Sequence, residues 1–207
     1  GTNNVSVIPP GVDREIFKPK IKIGVVGRTY HTGRKGEALV AKVMDVPGIE
    51  WRFTGEGWPG KALHVPDGGM PDFYHDLDYV LVPALYEGGP MSVIEGLSCG
   101  VPIIGSDVGW IKEFPYIAFE NGNAESLRKV LKSLVRKKVK LSQSVSHMTW
   151  ENWAKKHLSL FDRIAKEAGL INRTQRGDRN VETANTPETP NRPRAIIVSH
   201  GSEKTTK

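Results

Sequence analysis

From residue 21 to about residue 168 the chain alternates short apolar runs with segments of helical spacing, and this alternation constrains its fold more than any other feature. Residues 21–27 form an apolar run that ends in Gly27, which reads as a buried strand. Residues 37–44 follow with helical character, carried by Ala38, Leu39, Ala41 and Val43. Residues 49–55, 79–83 and 101–105 read as further strands, and 116–119 as a short one. Between two of these lies a helix over 90–99, with Pro90 in its first turn and Gly100 just past its end. Two helices close the pattern. Asn123 is placed to cap the first, whose stripe is Leu127, Val130, Leu131, Leu134 and Val135. The second carries Trp150, Trp153, Ala154, His157, Leu158, Phe161, Ile164 and Ala165. Strands separated by helices pair in parallel, so the expected fold is an α/β, Rossmann-like, doubly wound sheet with helices on both faces. Ligands of such sheets sit at the carboxyl ends of the strands, where glycine-rich loops lead into helix N-termini.

Composition narrows the setting. With 38% hydrophobic and 25% charged residues, most of the 207-residue chain is able to bury a core. A single cysteine, Cys99, excludes an internal disulfide framework and fits a reducing, cytoplasmic setting. No apolar run reaches membrane-spanning length. Half of the formal charge of +6 falls in residues 171–207, which hold seven Lys and Arg against four Asp and Glu and contain no aromatic residue. The remainder is mildly basic, which suits a phosphate-bearing small ligand or peripheral docking at an anionic membrane, and nucleic acid is not expected as a partner. Residues 171–194 are polar and proline-rich and are expected to be a disordered linker. Residues 195–207 read as a sticky tail or as the first strand of a further unit.

The chemistry concentrates in residues 86–102. Gly88 and Gly89 follow a strand and let the backbone approach a ligand closely. The amides of Met91 and Ser92 belong to a helix N-terminus and are able to bind an anion. Glu87 precedes that helix and Glu95 lies about a turn and a half inside it, so the two acids address different parts of one ligand. A carboxylate accepts hydrogen bonds from neighbouring hydroxyls, as a ribose diol offers. With its flanking Gly-Gly-Pro and Cys-Gly-Val-Pro, the segment resembles the E-x7-E signature of glycosyltransferase family 4.

The resemblance runs from about residue 5 to residue 168. Residues 7–13 with Phe17-Lys18-Pro19 resemble the family's crossover into its donor lobe, so residues 1–20 are expected to be an interlobe segment and 21–170 the donor-binding lobe. Gly27-Arg28 and Lys35-Gly36 are similar to the basic pair that grips the donor diphosphate, and Trp150-Glu151 to the start of the last helix. The resemblance implies the C-terminal lobe of a GT-B fold and retaining transfer of a hexosyl group from a nucleoside diphosphate sugar. It implies that Glu95 binds the ribose, that Glu87 sits by the sugar ring and diphosphate, and that Arg28 and Lys35 stabilise the leaving group with no metal or other cofactor. It also implies an acceptor held by a second, N-terminal lobe or partner chain, so these residues alone are expected to bind donor without completing transfer. Two departures stand out: the long loop between Arg28 and Lys35, where Arg34 is able to substitute for Lys35, and Gly89-Pro90, where the family often has a larger residue followed by Gly.

Other patterns carry less. Asp76-Leu77-Asp78 resembles a metal-binding Asp-x-Asp motif but runs into a strand instead of following one. Gly55-Glu56-Gly57 lacks the third glycine of a dinucleotide fingerprint and reads as a strand-end loop lining the base pocket. His31, His64 and His75 lack metal-ligand spacing, and Cys99 reads as a small buried helix residue. The competing functional readings are a non-catalytic nucleotide-binding module and a nucleotide-sugar epimerase of the same two-lobe fold.

Overall fold

In a computed structural model of the chain, residues 6–170 are described. The first strand, β1 (Ile21–Val26), alternates its side chains between two layers. Ile21, Ile23 and Val25 are buried on one face of the sheet. Gly24 lies on the other, where a side chain would strike Leu77. β1 pairs in parallel with β2 (Ile49–Thr54) on one side and β4 (Tyr79–Val82) on the other. β3 (Ala62–Leu63) extends the sheet beyond β2, while β5 (Ile103–Gly105) and β6 (Tyr116–Ala118) extend it beyond β4. The order is β3-β2-β1-β4-β5-β6, all parallel. The α/β doubly wound expectation is met. Strand order reverses between β1 and β4, which makes their carboxyl ends the place where such a sheet opens a crevice.

Helices cover both faces. On one, α1 (Glu37–Ala41) and α4 (Ala124–Gln143) bury Leu39, Val40, Leu127, Leu131 and Leu134 against Ile23, Val25, Phe53, Leu81 and Ile104. On the other, α2 (Met70–His75) and α3 (Met91–Ser98) bury Phe73, Tyr74 and Val93 against Val80, Val82, Ile103 and Ile111. Asn123 caps α4 as expected, its side-chain oxygen accepting from the amides of Glu125 and Ser126 at 3.0 Å each.

Several local readings change. β3 and α2 are too short, and their apolar residues too scattered, to show a period in the sequence. The first helix ends at Ala41 and gives way to turns, not at residue 44. Val101 and Pro102 precede β5 instead of starting it. Cys99 is half-buried at the C-cap of α3.

The chain divides into two units, residues 1–161 and 162–207. In the first, Gly11 is packed so tightly that a side chain there would meet the backbone of Thr149 and Trp150, and Val12 donates to the Met148 carbonyl at 2.9 Å. In the second, the described residues continue the helix α5 (Trp150–Glu167) to its end and a turn through Gly169. The expected linker over 171–194 and the segment 195–207 lie outside the described residues.

Candidate functional site

The reversal in strand order positions the site. β1 ends in Gly27, at φ +102°, whose amide donates to Thr54 and whose carbonyl accepts from the Trp58 indole at 2.7 Å. Gly36, at φ +80°, begins α1 so close to β4 that a side chain there would overlap the Pro83 carbonyl. This contact brings the start of α1 to the end of β4. Lys35 therefore meets Glu87, and their side chains form a part-buried ion pair, 21% and 12% exposed.

The loop after β4 is held from the other side by the turn at Val108–Trp110. A side chain on Gly89 would overlap the Trp110 indole, and one on Gly109 would overlap the carbonyls of Gly88 and Glu87. The sequence reading assigned both Gly88 and Gly89 to close approach of a ligand. Gly88 has open space around it, but at Gly89 it is Trp110 that leaves no room for a side chain. Pro90 then precedes α3, and no side chain caps that helix N-terminus. Glu95, one and a half turns in, accepts a hydrogen bond from the Tyr74 hydroxyl at 2.5 Å. Burial and the nearby Glu95 carboxylate push the Tyr74 phenol far above its ordinary range.

These pieces enclose a cleft of about 390 Å³ at the carboxyl ends of β1 and β4. Of the residues anticipated from sequence, Gly27, Lys35, Glu87, Gly89, Met91, Ser92 and Glu95 line it. Arg28 does not. Its side chain is 72% exposed, with its Nε 3.9 Å from Glu56. Gly88 lines a neighbouring, more open cleft with Arg34, Asp107 and Asn121. Arg34 lies with its guanidinium over the Tyr30 ring, at 4.8 Å from the centroid, while its carbonyl accepts from the amides of Leu85 and Tyr86.

Sequence reasoning missed Trp58, Asp67 and Met70 in the cleft wall, and Tyr74 behind it. Trp58 carried a faint signal, an aromatic residue directly after the Gly55–Gly57 turn at a strand end. In the expected base-pocket loop it is Trp58, not Gly55 or Gly57, that lines the cleft. Asp76 and Asp78 are engaged elsewhere. Asp76 pairs with Lys22, which holds its carboxyl below the ordinary range. Asp78 accepts from the Lys22 amide and from Lys138, both at 2.7 Å. Among the described residues no three His, Cys, Asp or Glu side chains are grouped as a metal site.

Fold and cleft together define a doubly wound α/β domain with its crevice at the reversal of strand order. Residues 62–149, which run from β3 to the residue before α5, match the family described as Glycosyl transferases group 1. The matched stretch contains Glu87 and Glu95; the cleft wall formed by Gly27 and Lys35 lies before it. The chain is similar to the O-antigen chain mannosyltransferase B of Escherichia coli, with 37% identity over 62 residues, or 30% of this chain and 16% of that protein's length. Among solved structures, the catalytic domain of cholesterol-alpha-glucosyltransferase from Helicobacter pylori aligns with a TM-score of 0.48 and 17% identity, over 68% of this chain and 98% of that one. HepE of Anabaena, solved in complex with UDP-glucose, aligns with a TM-score of 0.46 and 13% identity, over 73% of this chain and 49% of that one.

Proposed function

We propose that residues 21–170 are the donor-binding lobe of a retaining glycosyltransferase, which holds a nucleoside diphosphate sugar without a metal ion. The observation that carries this reading is the cleft itself. It sets a Lys35–Glu87 ion pair beside the uncapped N-terminus of α3, with Glu95 further along the same helix. An isolated acid beside a diphosphate would repel it. Paired with Lys35, Glu87 is neutralised, and Lys35 keeps further donors for phosphate oxygens. The Met91 and Ser92 amides add the positive end of the α3 dipole. Negative charge that develops as the diphosphate departs is stabilised by the same groups. Arg28 joins them by rotating its exposed side chain toward the cleft mouth. Glu95 accepts from the ribose, and Glu87 stands by the sugar ring.

Transfer further requires an acceptor oxygen held at near-attack distance with water excluded, which the reading assigns to a second lobe. No described helix is long and apolar enough to cross a membrane. Peripheral docking at an anionic surface belongs to the same reading, and the exposed basic side chains of Lys129, Lys132, Arg136 and Lys140 on α4 support it.

Calorimetry with UDP, GDP and ADP, with and without a chelator, tests the reading. At least one of them is expected to bind, equally well in chelator. Glu95→Ala is expected to weaken that binding by about 1–3 kcal/mol, because a charged acceptor to the ribose is lost. Loss of binding on chelation, or a silent Glu95→Ala, contradicts it.

A further inference from the structure

Glu95 is not free to orient itself. Tyr74 reaches it from α2 and donates its hydroxyl to one carboxylate oxygen at 2.5 Å. Tyr74 is 1% exposed, packs edge-to-face on Phe73 with ring centroids 5.8 Å apart, and does not line the donor cleft. It lines an adjoining cleft with Pro71, Ile94 and Cys99, which shares Asp67, Met70 and Glu95 with the donor cleft. A hydroxyl so buried loses more by having no acceptor than an exposed one would, so the pair is held together in the absence of any ligand.

We propose that Tyr74 is a positioning residue that fixes Glu95 so that its second oxygen accepts from the donor's ribose hydroxyls, making the lobe select ribonucleoside over 2′-deoxyribonucleoside diphosphates. The inference rests on the nucleotide reading above and adds to it a residue and a specificity. A carboxylate that rotates freely meets one hydroxyl as well as two. One pinned at a single oxygen presents the other in a constant direction, and that direction is what distinguishes a diol from a lone hydroxyl. The phenol remains a donor across the working pH range, since burial and Glu95 both oppose its ionisation.

The test is calorimetry on the full chain with UDP, GDP and ADP and with their 2′-deoxy counterparts. Tyr74→Phe keeps the ring and its packing. It is expected to weaken the best-bound ribonucleotide about tenfold, to leave the deoxy counterpart nearly unchanged, and to add nothing further in a Glu95→Ala background. A loss of equal size for both sugars, or one that persists in full beside Glu95→Ala, makes Tyr74 merely structural and overturns the proposal. Should Tyr74→Phe fail to fold, Glu95→Gln carries the test. With Tyr74 holding the one oxygen of the amide introduced by Glu95→Gln, the NH2 group is turned toward the ribose and the ribose preference is expected to collapse. If that variant keeps the preference, its amide has been free to turn, and the proposal fails. If none of the diphosphates binds the unmodified chain, the nucleotide reading falls and this inference falls with it, a result distinct from binding that ignores Tyr74.

Discussion

Helices α4 and α5 are consecutive, 20 and 18 residues long, and carry the same kind of apolar stripe at three-and-four spacing. α4 buries Leu127 and Leu131 completely and Leu134 almost so, against the sheet. α5 buries no residue, and it exposes Leu158 and Phe161 at 64% and 59%. Its aromatic side chains contact one another instead, Trp153 and His157 lying 4.0 Å apart between centroids, with Trp150 and Phe161 at either end. The difference shows that an amphipathic period reports a helix and its apolar side, but not what covers that side. α4 has a sheet to cover, and α5 has none among the described residues.

The largest expected effect breaks or keeps this contrast directly. Leu131→Ala removes a fully buried side chain from α4 and is expected to cost about 2–5 kcal/mol in urea unfolding. Leu158→Ala in α5 is expected to stay within about 0.5 kcal/mol. If the two losses match, the α5 stripe is covered in solution, by a second copy or another chain, and the contrast disappears.

A smaller effect separates the helix starts. Asn123 caps α4 through two amides, and Asn123→Ala is expected to lower global stability by about 1 kcal/mol. Thr149 plays the matching part for α5, its hydroxyl accepting from the Asn152 amide at 3.1 Å. Because little of α5 is buried, Thr149→Ala is expected to speed amide exchange at Asn152 and Trp153 while leaving the unfolding midpoint where it was. A shift of the midpoint as large as that of Asn123→Ala would mean that α5 unfolds with the core.

The smallest effect is electrostatic. Arg128 of α4 pairs with Asp45, beyond α1, at 2.8 Å, and holds that carboxyl below its ordinary value of 3.8. In α5, Lys155 lowers Glu151 below 4.5 within a single helix. A carboxyl whose pKa is lowered by folding contributes stability above its unfolded value, and that contribution fades as pH falls through the folded one. Acidification below about pH 4 is therefore expected to shrink the charge-dependent stability difference between the unmodified chain and Asp45→Asn, which vanishes only once pH lies below the folded value. Glu151→Gln is expected to change only the helicity of α5. Asp45 and both members of the α5 pair are exposed, and Arg128 is half-buried, so added salt is expected to shrink both differences. An Asp45→Asn difference that survives acid and salt would point to packing instead of charge.

The same division runs through the candidate site. Glu87 and Glu95 were legible because their spacing and flanking glycines lie in one continuous stretch. Lys35 was legible as a cation beside a glycine, but its pairing with Glu87, 52 residues away, was not. That pairing depends on Gly36 lying against the Pro83 carbonyl, a contact between two strand ends that no local pattern encodes. Arg28 was read as a partner of Lys35 in gripping the donor, yet Arg28 is 72% exposed outside the cleft while Lys35 lines it. Tyr74 sits in a six-residue helix whose apolar side is too short to show a period.

By itself the sequence determined the order of the longer elements (β3 and α2 aside), the parallel sheet and the capped start of α4. Each of these follows from side-chain periodicity and backbone chemistry within one short segment. Only the tertiary structure decided which strands are neighbours at the β1–β4 reversal, which glycine makes room for Trp110, and which acid Tyr74 holds. Those outcomes depend on excluded volume and hydrogen-bond satisfaction between segments that lie far apart in the chain, and they take form only when the helices close over the two faces of the sheet.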